Sequence, residues 1–292
     1  MAKARELKRR IRSVQSTRKI TKTMELVATS KLKRAQDRVF AARPYAAALA
    51  EVIGDLYSPA LAERFPLLRQ PGAHGVRNVA LVLVTANRGL AGAFNANLIR
   101  EARHRLDALE SEGAAVDLHI IGRKGVGFFR HTRRAIVSQR TDVGENPKAA
   151  QASEIVGPLV QAFEAGALDA VEVVHAQFKS ALSTPPTVLR ILPVTPPGAD
   201  GGKREQADYI LRPSAEAILE RLLPLYVENQ MFRALVETAA AFYGSQRTAM
   251  KNATDNAGDL LNLLNRTYNR ARQAQITQEL AEIVGGAEAL QG

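Results

Sequence analysis

The sequence predicts an α/β protein in which one strand-and-helix domain is inserted between two long terminal helices that pair as an antiparallel coiled coil. Three observations carry that expectation. Residues 214–290 form one helical pattern, its apolar positions recurring at steps of three and four. A second helical stripe fills the first 57 residues. Val-rich strand patterns occur only between the two.

In the C-terminal pattern the stripe runs through Phe232, Leu235, Val236, Ala239, Phe242, Met250, Ala253, Ala257, Leu260, Leu264, Tyr268, Ala271, Leu280, Ile283 and Ala287. A light break is expected near Pro224 and an end at Gly285-Gly286. A helix of about 60 to 70 residues would be about 90 to 105 Å long, which demands a partner. The N-terminal helix supplies it, with Leu7, Ile11, Val14, Ile20, Met24, Val27, Ala28, Leu32, Ala35 and Val39. Its stripe slips near Arg18, so that Met24, in place of Thr21, is expected at the seam. Pro44 should interrupt this helix and Ser58-Pro59 end it.

Residues 58–76, rich in Pro and Gly, form a connector. The inserted domain, 77–212, opens on the strand 78–85 (NVALVLVT), a turn at 86–92 and a helix at 94–109. A strand at 116–121, a short helix at 122–131, a short strand at 135–138 and a helix at 149–164 follow. Strands at 170–178 and 187–193 pair through a turn near 183–186. Such alternation gives a largely parallel, Rossmann-like sheet. Residues 196–202 form a surface loop, 209–212 lead into the last helix, and 213–292 complete the division.

Charge is uneven. Residues 1–43 hold 14 Lys and Arg against three acids, and the rest of the chain is balanced at 26 against 26, so the whole formal +11 lies in the first segment. The readings are a solvated helix face, an acidic protein partner or nucleic acid. A cleaved transit peptide is set aside because the segment runs on into more helix. The chain lacks Cys, which excludes disulfides and thiolate chemistry, and its five His are scattered with no pair at helical spacing. No apolar run approaches the length of a membrane span.

The turn TANRGLAGAFN at 85–95 lies between a strand and a helix, where phosphate loops occur, yet it has neither GxGxxG nor GK[ST], and Gly122-Arg123 offers no acid for a ribose. It reads as a packing turn, and GRKGVG at 122–127 reads likewise. No spacing assembles a catalytic set, so no catalytic residue, cofactor or metal is expected. On the last helix, KNATDNA, YNRARQ and ITQELAEIVGGA carry small residues on the seam and Asn, Arg, Gln, Thr and Glu outside it. Those amide and guanidinium groups offer directional hydrogen bonds to a partner beyond the pair.

Three blocks then carry a resemblance. RELKRRIRSV at 5–14 continuing to TRKITKTMELVATSK at 17–31, NRGLAGAFN at 87–95, and the run 250–290 closely resemble the gamma subunit of the bacterial F-type ATP synthase. The resemblance implies a rotor shaft inside a ring of three alpha and three beta subunits, its α/β domain sitting with epsilon on the c-ring, peripheral to the cytoplasmic face of the cell membrane. It implies that Arg272, Gln273, Thr277 and Glu279, with Met24, meet the beta catch loops, and that Ile283, Val284, Ala287 and Leu290 turn in an apolar bearing. Arg9, Arg10, Arg12, Lys19, Lys22, Lys31 and Lys33 would face acidic loops of beta. The shaft would be non-catalytic and bind no nucleotide itself. Ala91 stands where the family often has Cys, so redox control is not expected. The alternatives are a nucleic-acid binder using the basic helix, which lacks interleaved base-reading Asn or stacking aromatics, and a nucleotide-dependent enzyme using the α/β domain.

Overall fold

The computed structural model describes residues 2–57, 63–70, 75–195 and 214–289. The expected loop at 196–202, the lead-in at 209–212, parts of the connector, the tip residue Leu290 and the Ala287 side chain lie outside this description.

Helix α1 runs through Ala2–Leu56 without a break at Pro44. Proline removes one main-chain donor and frees the carbonyl four residues earlier. That carbonyl belongs to Phe40, which is exposed, so water can take the place of the missing donor. After a short 3-10 turn at Pro66–Leu68 come β1 (Asn78–Val84), α2 (Phe94–Ser111), β2 (Ala115–Ile121), α3 (Arg123–His131), β3 (Ser138–Arg140), α4 (Ala149–Glu164), β4 (Ala170–Ala176), β5 (Pro186–Leu192) and α5 (Ala215–Ala289). Helix α5 passes through Pro224 and through Gly285-Gly286, so neither expected break occurs. Ser214 starts it by accepting the Ala217 N–H at 3.2 Å.

The five strands lie in the order β3-β2-β1-β4-β5. Every neighbouring pair is parallel except β4 with β5, which is the expected hairpin. Only β3 falls away from its expected place, at 138–140 instead of 135–138, with Ser138 opposite His119. The Asp169 carboxylate fixes the start of β1 by accepting the main-chain N–H groups of Arg77 and Asn78, both at 2.9 Å.

The chain forms two compact units, 1–28 with 247–292, and 29–246. In the second, the sheet is covered on both faces. Ile53, Leu56, Val156, Phe163, Leu219, Leu223 and Val227 close one face. Leu32, Val39, Phe94, Leu98, Phe129, Val236 and Phe242 close the other. In this stretch α5 is enclosed all round, with each residue from 234 to 244 buried. In the first unit, burial returns to single positions spaced along a stripe.

Candidate partner-binding surface

The seam of the first unit follows a strict heptad on both helices. On α1 the repeat Ile11, Val14, Arg18, Thr21, Glu25, Ala28 alternates steps of three and four, and Ile11, Thr21 and Ala28 are buried. On α5 the matching residues are Met250, Thr254, Ala257 and Leu261, all buried. Two expectations need correcting here. The slip does not occur: Thr21 takes the seam, Met24 lies half-buried beside it, and Ile20 and Val27 are exposed. Leu260 likewise faces outward and Leu261 faces in. The physical reason is that the seam can accept a hydroxyl when its bond is made. The Thr254 hydroxyl lies 2.8 Å from the Thr21 hydroxyl and 2.8 Å from the Met250 carbonyl, so the polar pair is buried with its partners in place.

Thr21 meets Thr254, and the position of Gly258 faces the guanidinium of Arg18. Rising numbers on α5 therefore meet falling numbers on α1, and the pair is antiparallel. Alongside Thr21 and Thr254 the two helices bound an open groove of about 1050 Å³. Arg18, Lys19 and Lys22 line it from one helix, Asp255, Asn262 and Asn265 from the other. Three cations against one acid make it an electropositive trough with amide donors and acceptors along one wall. Lys19 and Lys22 were legible as part of the basic face. Arg18, Asn262 and Asn265 were not, because only the true register of the heptad places them beside the groove.

Of the other basic-face residues, Arg9, Arg10, Arg12 and Lys33 are exposed and Lys31 is half-buried, with its ammonium 5.5 Å from the Tyr243 ring. Arg10 pairs with Glu6 at 2.7 Å, Lys22 with Glu25 at 3.2 Å and Lys33 with Asp37 at 2.8 Å, each one helical turn apart. Among the described residues no carboxylate pairs with Arg9, Arg12, Arg18 or Lys19. Their charge is available to a partner.

Arg272, Gln273, Thr277 and Glu279 are all exposed. Thr277 donates to the Gln273 carbonyl at 3.0 Å, and Glu279 accepts from Gln275 at 2.8 Å, so these side chains are held along the helix by local bonds. Ile276, Leu280, Ile283 and Val284 form an exposed apolar stripe on the same segment. Met24 is not brought next to Arg272. With Thr21 level with Thr254, it stands near Met250, about 30 Å from Arg272 at 1.5 Å per residue. The predicted residues thus occupy two levels of the helix pair.

The turn at 85–95 is consumed by its own fold. Thr85 donates to the Ile121 carbonyl at 3.0 Å and accepts the Gly125 N–H at 3.0 Å. The Asn87 amide donates to the carbonyls of Thr141 and Val143, and its oxygen accepts the Arg123 N–H. A side chain at Gly122, whose φ is +99°, would collide with the Thr85 carbonyl. Ligands of open α/β sheets settle at the carboxyl ends of strands where the strand order reverses, here between β1 and β4. There the Thr238 hydroxyl of α5 accepts the Ala176 N–H at the end of β4, and on the β2 side Leu235, Thr238, Ala239 and Phe242 lie over the ends of β1 and β2 and leave a cavity of about 20 Å³, room for one water.

The family model described as ATP synthase matches residues 3–290. The ATP synthase gamma chain of Gemmatimonas aurantiaca is 65% identical over 292 residues, covering 100% of both chains. That of Moorella thermoacetica is 47% identical over 99% of this chain and 100% of its own. Among solved structures, a chain of the Euglena gracilis mitochondrial ATP synthase (OSCP/F1/c-ring) superposes with a TM-score of 0.69 at 17% identity, covering 99% of this chain and 95% of that one. One from the Tetrahymena thermophila central stalk and c-ring gives 0.61 at 22% identity, over 80% and 99%. These two carry the likeness of fold, and the sequence relatives carry the kinship: the chain belongs to the ATP synthase gamma chain family.

Proposed function

We propose that this chain is the central rotor shaft of an F-type ATP synthase, coupling ion-driven rotation to the catalytic sites of the beta subunits without performing chemistry itself. The observation that carries this reading is full-length membership of the gamma chain family, joined to a helix pair whose outward face holds unpaired cations and directional amides. Residues 1–57 and 213–292 supply the shaft and 77–212 the domain that sits with epsilon on the c-ring, 58–76 connecting them. Three alpha and three beta subunits surround the shaft. The complex is peripheral at the cytoplasmic face of the membrane, and no helix among the described residues is long and apolar enough to cross a bilayer.

In this reading Arg9, Arg10, Arg12, Lys19, Lys22, Lys31 and Lys33 meet acidic loops of beta. Exposed pairs contribute about 0.2 to 1 kcal/mol each, which suits contacts that must release at every step. Arg272, Gln273, Thr277 and Glu279 engage the beta catch loops from one level and Met24 faces beta from the other. Ile283, Val284, Ala287 and Leu290 turn in an apolar bearing. Because the shaft is asymmetric, each orientation favours a different conformation at each beta site. Nucleotide binding then biases the shaft in return, by the reciprocity of linked equilibria.

The nucleic-acid alternative has no support from the relatives. The nucleotide-enzyme alternative would need open space at the carboxyl ends of β1 and β2, which Leu235 and Phe242 cover. The test is ATP hydrolysis by matched alpha and beta subunits with and without this chain, with co-elution measured by size exclusion. The reading expects incorporation at one copy per three beta and altered turnover. Failure to co-elute with subunits from the same organism would refute it.

A further inference from the structure

One main-chain position ties both long helices to the sheet. Phe178, just beyond the end of β4 and 2% exposed, donates its N–H to the Glu237 carboxylate of α5 at 3.1 Å. Its carbonyl accepts from the Arg43 guanidinium of α1 at 2.9 Å. Two residues earlier, the Ala176 N–H donates to the Thr238 hydroxyl at 3.2 Å. Glu237 and Thr238 are 1% and 4% exposed, and the other Glu237 oxygen is held by Arg233 at 3.0 Å.

The arrangement has a mechanical meaning. Apolar packing around α5 resists separation but is non-directional, so it resists turning of the helix about its own axis only through surface relief. Glu237 and Thr238 are consecutive, and consecutive helical side chains project about 100° apart. Their two bonds to the strand end therefore straddle the line of contact, and a turn of α5 in either sense stretches one of them. Arg43 adds a third bond, from α1, to the carbonyl of the same residue, Phe178. We infer that Ala176 and Phe178, gripped by Thr238, Glu237 and Arg43, form the rotational anchor through which the α/β domain turns both helices. Arg43, Glu237 and Thr238 are positioning residues in this sense. The inference deepens the rotor reading and rests on it.

The experiment uses the assembled complex with the alpha and beta ring fixed and the shaft arrested by bound nucleotide. A bead is attached to a cysteine introduced at Val137, an exposed site in a chain without native cysteine, and its angular variance is recorded. Thr238→Val keeps the side-chain shape and removes the acceptor, Arg43→Met removes the third bond, and Thr238→Ser restores the hydroxyl. With two of the three directional bonds gone, the Thr238→Val/Arg43→Met variant should raise the variance about twofold, and Thr238→Ser should return the single-site effect to the original value. Glu237→Gln extends the series, while the valine variant alone suffices if the amide fails to assemble. A residue that serves only folding would lower the melting temperature and leave the variance unchanged in the assembled complex. Unchanged variance in the double variant, or a serine variant as compliant as the valine, overturns the anchor while a bead driven by ATP still turns. A bead on the unsubstituted complex that never turns with ATP overturns the rotor reading and the anchor together.

Discussion

Helix α5 lives in two environments, and the contrast between them explains the molecule. From Ala234 to Gly244 it is enclosed on all sides by the sheet layer, with Glu237 and Thr238 buried among aliphatic and aromatic neighbours. From Met250 onward only one face is buried, and beyond Ala271 nearly every side chain is open to solvent. One helix therefore has a region fixed by packing and a region left free to present polar and apolar groups in sequence. Stability belongs to the first, and the second is where the proposed function puts recognition.

The largest effect that would test this contrast is loss of an enclosed aromatic. Phe242 is 1% exposed and meets Phe94 edge-on at 5.8 Å and Tyr243 at 5.5 Å. Phe242→Ala should cost about 3 to 5 kcal/mol in urea unfolding of the full chain. Ile276→Ala or Leu280→Ala, on the open segment, should change the same measurement by less than about 0.5 kcal/mol. Comparable losses at both places would erase the distinction.

Acid should also act on the enclosed region first. His175 is buried without a partner for Nδ1, and burial holds its pKa below 6.5 even though the Glu237 carboxylate pulls upward. The unfolded chain takes up this proton first, so stability should fall as pH drops below 6.5. Burial pushes Glu172 upward, but hydrogen bonds from Arg105 at 2.5 and 2.8 Å and from Arg190 at 2.8 Å outweigh it and leave its pKa below 4.5. Its contribution is present above 4.5 and is lost as pH falls through the lower folded value. Urea midpoints of the full chain between pH 8 and 3 measure both, since a tenfold difference in proton affinity between folded and unfolded chains is worth about 1.4 kcal/mol. His175→Gln should flatten the upper decline and Glu172→Gln the lower.

A smaller effect is expected at the seam. Thr21→Val leaves Thr254 with its bond to Met250 and should cost about 0.5 to 1.5 kcal/mol, while the double Thr21→Val/Thr254→Val variant should recover part of that by replacing both hydroxyls with apolar groups. A double-mutant cycle reads the coupling. Additive losses would show that the hydroxyl pair is not a unit.

Much of this was legible in the chain itself, because long periodic patterns and Val-rich runs report directly on burial. Every strand except β3 lies within two residues of its expected bounds. Ser138-Gln139-Arg140 forms an edge strand with no apolar alternation to announce it, and the apolar residues before it drew the expectation upstream. Met24 looked like the seam residue because it is apolar, whereas Thr21 owes its place to a hydroxyl partner 233 residues away, which periodicity on one helix cannot reveal. The same limit hid Glu237 and Glu172, charged residues that are buried because distant groups satisfy them. The turn at 87–95 was legible as packing through what it lacked, although only the fold shows α5 filling the crevice above it.

The most direct test of the coupling role removes the open segment and leaves the enclosed one intact. A chain ending at Asn269, assembled with its partner subunits in vesicles, would be assayed for ATP hydrolysis and proton pumping together. Fewer protons should move per ATP hydrolysed than with the full chain. An unchanged ratio would contradict the assignment of Arg272, Gln273, Thr277, Glu279 and the apolar tip to coupling.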